Sequence, residues 1–445
     1  MIGVLGLAVR VATVWTEYRK LTPPPPDLTD NTWYWLQSKL VAHGHGFANP
    51  FYWYGKVEPH YTGPIQHSAG HPPLYTLYLA IFQLLGFGSP LSMRLASSIL
   101  GAICVVGVGW LALKITGSER AGIIAALLAA IYPNLWINDG LILSESMYAP
   151  LIVLLMWTSY RLIDKPSTWR AVGVGAALGL CCLTRSESQI LFIVLLVPLC
   201  LWAGRSVGWL RALRNLGVAV LCGLVVISPW VIKNLTTFKH PVFLAIGAGF
   251  VLDVSNCDST YYGQLLGYTD ATCSTSTWPK GADESEIEVI LREHATRYIS
   301  AHKARLLTVV VPARLGRIFN VYRPFQGVDL DIFFERRGRW QSWAGLWSYY
   351  AIGLAAIAGA VAMWRRRISL VPPLAMVVMV AVTAASTMGI TRYRVAAEVV
   401  WVLLGGIGVD AAWSWWSRRR ASSRSNPAET AMAAASSSPI SAVDR

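Results

Sequence analysis

Asp30 opens the stretch DNTWYWLQSKLVAHGHGF, and Trp33, Leu36, Leu40 and Val41 behind it mark one apolar face of a helix that begins at the acid. A helix N-terminus favours an ionised carboxylate. An ionised, oriented carboxylate can act as general base on an acceptor hydroxyl or amine. The same position also suits a plain N-cap, and spacing does not separate the two roles. Asp27 is the local competitor, but it follows the Pro23–Pro26 run and has no helix of its own. Glu145, in LILSESMY, is the second acid, at the outer end of an apolar run. Ionisable groups at such places tend to be functional or paired; Glu145 equally suits a helix-start carboxylate after Ser144.

The cations fall at comparable places. Arg185 and Glu187 share the short turn LTRSES, Arg392 and Arg394 the turn TRYR, and Lys233 follows Ser228-Pro229-Trp230. Converging cations can hold a phosphate, Arg in bidentate fashion. Snorkelling to the interface or an Arg185–Glu187 pair is the simpler account. His71 stands before Pro72-Pro73. His43, His45, His60, His67 and His71 crowd one loop, but their spacing matches no standard zinc pattern, and no metal is expected. The aromatics Trp33, Tyr34, Trp35, Phe51, Tyr52, Trp53, Tyr54, Tyr61 and Tyr75 read mainly as an interfacial belt, with a few placed to stack on sugar rings. No Gly-rich phosphate loop or dinucleotide fingerprint stands out, which disfavours a nucleotide-driven cytoplasmic enzyme.

The elements that must position these residues are membrane helices. Hydrophobic residues make up 54% of the chain and charged residues 14%, against about 25% charged in a soluble domain. Apolar runs lie at about 2–16, 72–87, 94–113, 121–137, 143–162, 171–184, 188–204, 215–232, 341–363, 368–389 and 395–412. The class is an all-α polytopic membrane protein. The net charge of +14 sits in short clusters between these runs, so it reads as a topology signal with some contact to membrane lipid phosphates, not as nucleic-acid binding. The clusters are Lys114/Arg120, Arg161/Lys165/Arg170, Arg205/Arg211/Arg214, Arg365–Arg367 and Arg418–Arg420. Two apolar runs separate each cluster from the next, which puts all five on the cytoplasmic side. The same parity keeps 72–87 from crossing. The expectation is about ten spans, a first extracytoplasmic loop over 17–93 with 72–87 along the interface, and a second over 233–340. The alternative is an extra span with the N-terminus outside. The membrane domain is then 1–412, and 413–445 a disordered cytoplasmic tail rich in Arg, Ser and Ala. No cleavable signal peptide is evident in Ile2–Trp15, where Arg10 either snorkels or marks a start that lies further upstream. Asp283–Arg305 reads as a helix with acids in its first turns. Cys257 and Cys273 lie in a polar loop, and outside the cell a disulfide is expected, with two free thiols as the alternative.

The ordered series DNTWYWLQSKLVAHGHGF, HPPLYTLYLAIFQLLG, SMRLASSILGA, AAIYPNLWINDGLILSESMY, LTRSES, SPWVIKNLTTFKHPVF and TRYRVAAE resembles the GT-C membrane glycosyltransferases. It is most similar to the branch with bacterial aminoarabinose transferases and protein O-mannosyltransferases, over roughly residues 1–410. The resemblance implies a GT-C helix bundle in the plasma membrane. It also implies a sugar–phosphate–polyprenol donor and transfer with inversion on the extracytoplasmic face. The acceptor stays open among lipid, glycan and protein. Asp30 falls on the family's first-loop acid, and Glu145 on a second acid that is Asp in several relatives. His71 falls where some relatives have Lys, so contact with the donor phosphate would depend on its protonation. Arg185 and Arg392 resemble basic family positions and become candidates for binding that phosphate, as does Lys233 by its place at a helix end. The resemblance implies no metal and no other cofactor. A transporter or lipid flippase is the competing reading, and it calls for acids deep at mid-membrane.

Overall fold

The computed structural model describes residues 1–19, 29–54, 66–277, 279 and 281–436, the last sixteen without their side chains. The Pro23–Pro26 run, Asp27, His60 and Tyr61 lie outside the described residues. The chain opens with α1 (Ile2–Thr13), continued by a π-helical turn, Val14–Tyr18. The first polar loop supplies α2 (Asp30–Ala42) and α3 (Leu74–Leu84). The bundle continues with α4 (Pro90–Thr116), α5 (Glu119–Ile131), α6 (Glu145–Asp164), α7 (Thr168–Cys182), α8 (Ser186–Gly204) and α9 (Trp209–Thr237). The second polar loop holds α10 (Glu284–Ala301) and α11 (Pro324–Phe334). Then follow α12 (Arg339–Arg365), α13 (Val371–Ser386) and α14 (Val395–Ser436).

Six described helical segments are long and apolar enough to cross a membrane: α4, α6, α8, α9, α12 and Thr391–Arg420. A seventh arises if α5 is joined to Pro133–Leu141 across a 64° bend. The chain is a multi-pass α-helical membrane protein. Ten spans were expected, and every run counted is helical; α1, α7 and α13 fall short in length. The 15 residues of α7 rise about 22 Å, against a hydrocarbon core of about 30 Å. Helix α3, with 11 residues, reaches only about 17 Å and packs on α2. The last helix runs to Ser436, into the stretch expected to be disordered. The Ala-rich segment there has high helix propensity, which composition-based reading of disorder discounts.

Small residues let the bundle close. A side chain on Gly359 would run into the Leu404 carbonyl, and one on Gly408 into that of Ala355, so α12 and α14 meet backbone to backbone. Arg10 does not snorkel. It is 1% exposed, and its Nε donates to Asp139 at 2.7 Å. Any side chain on Gly101 would fill the space of this pair. Outside the bundle, Asp283 caps α10 in a box with Glu286. Next to the cap, Glu284 reaches across to the first loop. It accepts from Asn49 Nδ2 at 2.7 Å, Ser68 Oγ at 2.9 Å and the Ala69 amide at 3.2 Å. Glu288 accepts from the Gly247 and Gly249 amides. Cys257 and Cys273 are joined in a disulfide.

Candidate active site

Three separate segments meet at Arg392. Its guanidinium donates to Asp30 at 2.7 Å, to Glu145 at 2.5 Å and to Glu335 at 3.2 Å. Arg185 shares Glu145 at 2.6 Å, also pairs with Glu187, and lies 5.0 Å from the centre of the Tyr393 ring. His71 Nε2 stands 3.4 Å from Asp30, and its ring stacks on Tyr34 with centroids 4.6 Å apart. Asp30 is thus not its helix's cap. Thr29 holds that position, and the Asp30 side chain, 38% exposed, turns into a cavity.

Local sequence sets each of these positions. Pro73 is the N-cap of α3, and His71 lies in a bend two residues ahead of it. Glu145 is the first residue of α6, three residues after Ile142, a β-branched residue held at φ 54°. That backbone is costly for isoleucine. Burial of Ile142 with Tyr34, Tyr75 and Met147 offsets the cost and ties the turn to α2 and α3. Arg392 sits in the tight turn Thr391–Arg394, directly before α14.

The cavity has a volume of about 730 Å³. Asp30, His71, Arg185, Glu187, Glu335 and Arg392 line it together with Tyr268 and the apolar Phe250, Val251, Val254, Met388 and Ile390. It can therefore take a ligand with a charged centre and a hydrocarbon part. Around the cavity, the carboxylates of Asp30, Glu145, Glu187 and Glu335 pair with the guanidiniums of Arg185 and Arg392. The cavity walls alone would raise the Asp30 carboxyl, but Arg392 and His71 outweigh them and hold it well below the usual carboxylate range. Glu335 behaves oppositely: burial pushes its carboxyl up, and Arg392 and Arg337 only partly counter this.

Of the residues singled out from sequence, Asp30, Glu145, His71, Arg185 and Arg392 come together here. Lys233 does not line the cavity. Its ammonium donates to the Ser68 carbonyl at 3.2 Å and lies over the Trp230 ring, because the start of α10 and the first loop close around it. Arg394 is buried with Glu398 and the Ile318 carbonyl, bracing α14. The histidines disperse: His43 bonds the Lys39 carbonyl, His45 packs on Trp53, and His67 bridges to Ala48. Glu335 was missed. It lies in a polar loop full of charge, and its one signal was a place just ahead of a span, like that of Glu145.

Residues 70–232 match the family model of dolichyl-phosphate-mannose-protein mannosyltransferases. No curated protein sequence matches the chain. Among solved structures, it is similar to the archaeal oligosaccharyltransferase AglB from Archaeoglobus fulgidus, in complex with an inhibitory peptide and a dolichol-phosphate. Identity is 14% and the TM-score 0.54, over 100% of this chain and 52% of that one. The same organism's oligosaccharyltransferase with zinc and sulfate matches at 13% identity and a TM-score of 0.50, over 94% and 50%. ArnT from Cupriavidus metallidurans bound to undecaprenyl phosphate matches at 15% and 0.40, over 91% and 77%. The chain spans about half the length of the archaeal proteins. The likeness to the archaeal structures is one of helical fold, and the sequence likeness to the mannosyltransferase family covers residues 70–232.

Proposed function

We propose that this protein transfers a sugar from a polyprenyl-phosphate-linked donor to an acceptor on the extracytoplasmic side of the plasma membrane, with inversion. The observation that carries this reading is the pairing of Asp30 with Arg392 in a cavity lined by both charged and apolar residues. The acceptor oxygen attacks the anomeric carbon as the bond from that carbon to the phosphate oxygen breaks. Polyprenyl phosphate leaves with the electron pair, and the acceptor proton passes to Asp30. Fixed cations facing the leaving phosphate lower the barrier without reorganising.

Asp30 is a weak base while Arg392 grips it, because a carboxyl held far below its usual range has little proton affinity. A donor phosphate drawn onto Arg392 competes for the same guanidinium. The contact it displaces most easily is Glu335, the longest of the three and the acid that burial already disfavours as an anion. As the phosphate takes up the guanidinium's charge, Asp30 becomes more basic, so donor binding prepares the base. In this scheme Glu145 holds Arg185 and Arg392 in register, and His71 orients Asp30 from the far side.

The test is incubation of the purified protein with a panel of polyprenyl-phosphate sugars, with transfer or hydrolysis followed by mass spectrometry. One donor class is expected to react and Asp30→Asn to abolish the reaction while expression and folding persist. Silence across the panel would overturn the donor, and unchanged turnover in the variant would overturn the site.

A further inference from the structure

The bundle carries a second, basic pocket at the far end of α6 from Glu145. Arg161 lies more than four helical turns beyond that acid, about 24 Å along the axis, so the two sites lie at opposite ends of a helix long and apolar enough to cross a membrane. The pocket has a volume of about 320 Å³. Lys114 from α4, Arg161 and Lys165 from the end of α6, and Arg170 from α7 line it, with one acid, Asp164. None of the four cations makes an ion pair among the described residues. Trp110 and Trp157 floor it, with ring centroids 5.1 Å apart. Arg161 lies 5.0 Å from the Trp157 ring centre and Lys114 5.9 Å from that of Trp110. The Arg170 guanidinium donates to the Arg161 carbonyl at 2.6 Å, which ties α7 to the rim.

Trp110 belongs also to a groove of about 700 Å³ between α1 and α4, lined by Val4, Leu7, Ile99, Ile103 and Val106. Ile99, Ile103, Val106, Trp110 and Lys114 follow one another at helical spacing along one face of α4. Ile103 and Val106 are more than half exposed on this face, and no described segment covers them. A cationic pocket therefore sits directly on top of an apolar channel that points into the membrane. Cations at helix ends often do no more than fix topology. Here they converge from three helices over a tilted pair of indoles and continue into a hydrocarbon-lined groove, which topology alone does not require.

We infer that this is a binding site for an anionic glycerophospholipid, with its phosphate among Lys114, Arg161 and Arg170 and an acyl chain along Ile103 and Val106. It stands apart from the proposed glycosyl transfer. The test is native mass spectrometry of the detergent-purified full chain with equimolar dioleoylphosphatidylglycerol and dioleoylphosphatidylcholine. The glycerol lipid is expected to be retained roughly tenfold more, consistent with the attraction of each membrane-surface cation for anionic lipid. Lys114→Ala combined with Arg161→Ala should bring the two lipids level. Glycerophosphoglycerol and inorganic phosphate, which lack chains, should displace the bound lipid poorly. Equal retention of the two lipids by the unaltered protein overturns the site, and that comparison needs no variant to fold. Retention unchanged in the double variant overturns the residue assignment. Full displacement by inorganic phosphate reassigns the pocket to a free anion and overturns the lipid.

Discussion

Arg392 binds three carboxylates at once, and the consequences of that are electrostatic. Asp30→Asn removes the proposed proton acceptor and is expected to lower transfer by roughly 10²–10⁴-fold, read as initial rate at saturating donor. Arg392→Lys keeps the charge but loses the planar fork, so donor affinity should fall although net charge is unchanged. Glu335 faces Arg392, Arg337, Asp30 and Asp331, and its carboxyl is pushed above the usual range chiefly by burial. It is neutral below that raised value and competes for Arg392 above it. Donor binding should therefore weaken as pH rises through the Glu335 transition. A sugar–phosphate–polyprenol diester does not titrate there, so titrations of binding against pH in the unaltered protein and in Glu335→Gln isolate this group. Parallel curves for the two proteins would remove Glu335 from the donor site.

The active-site loops are held by helix ends rather than by long contacts. Glu284, the first residue of α10, satisfies two buried side chains and a buried amide of the first loop, those of Asn49, Ser68 and Ala69. The Ser68–Gly70 backbone it fixes leads straight into His71. Glu284→Ala leaves those donors unpaired, and each buried unsatisfied group costs about 1–3 kcal/mol. Faster amide exchange across residues 66–71 is expected, with α6 and α14 unaffected. Exchange that stays native there would mean that the loop is held by something other than Glu284. The disulfide stiffens the other wall of the cavity. Cross-links closing loops of this length stabilise by about 3 kcal/mol, so reduction should lower the melting temperature.

Arg10 and Asp139 join α1 to the bent segment that precedes Glu145, entirely inside the bundle. Breaking such a pair from one side strands a buried charge, at a cost of about 3–5 kcal/mol. Arg10→Met should therefore destabilise strongly, whereas Arg10→Met with Asp139→Leu should recover most of the loss, as judged by thermal unfolding in detergent. The pair also bears on the flippase reading, which called for acids deep in the membrane. Asp139, buried beside the turn that leads to Glu145, is consumed in an ion pair.

Hydropathy was enough to reveal a membrane bundle, because span length and helix-end charges are local properties of the chain. The acids and cations at the ends of the apolar runs were legible for the same reason, and five of them converge. Lys233 and Glu335 exchanged places relative to expectation. Whether a charged residue at a helix end faces a cavity or the underside of a loop depends on which distant segment packs over it. The ion-pair partners Asp30–Arg392 and Arg10–Asp139 lie hundreds of residues or several helices apart, and no periodicity encodes such a meeting. One-dimensional pattern records what each segment must bury. Which charges then neutralise one another follows only from how the buried faces come together.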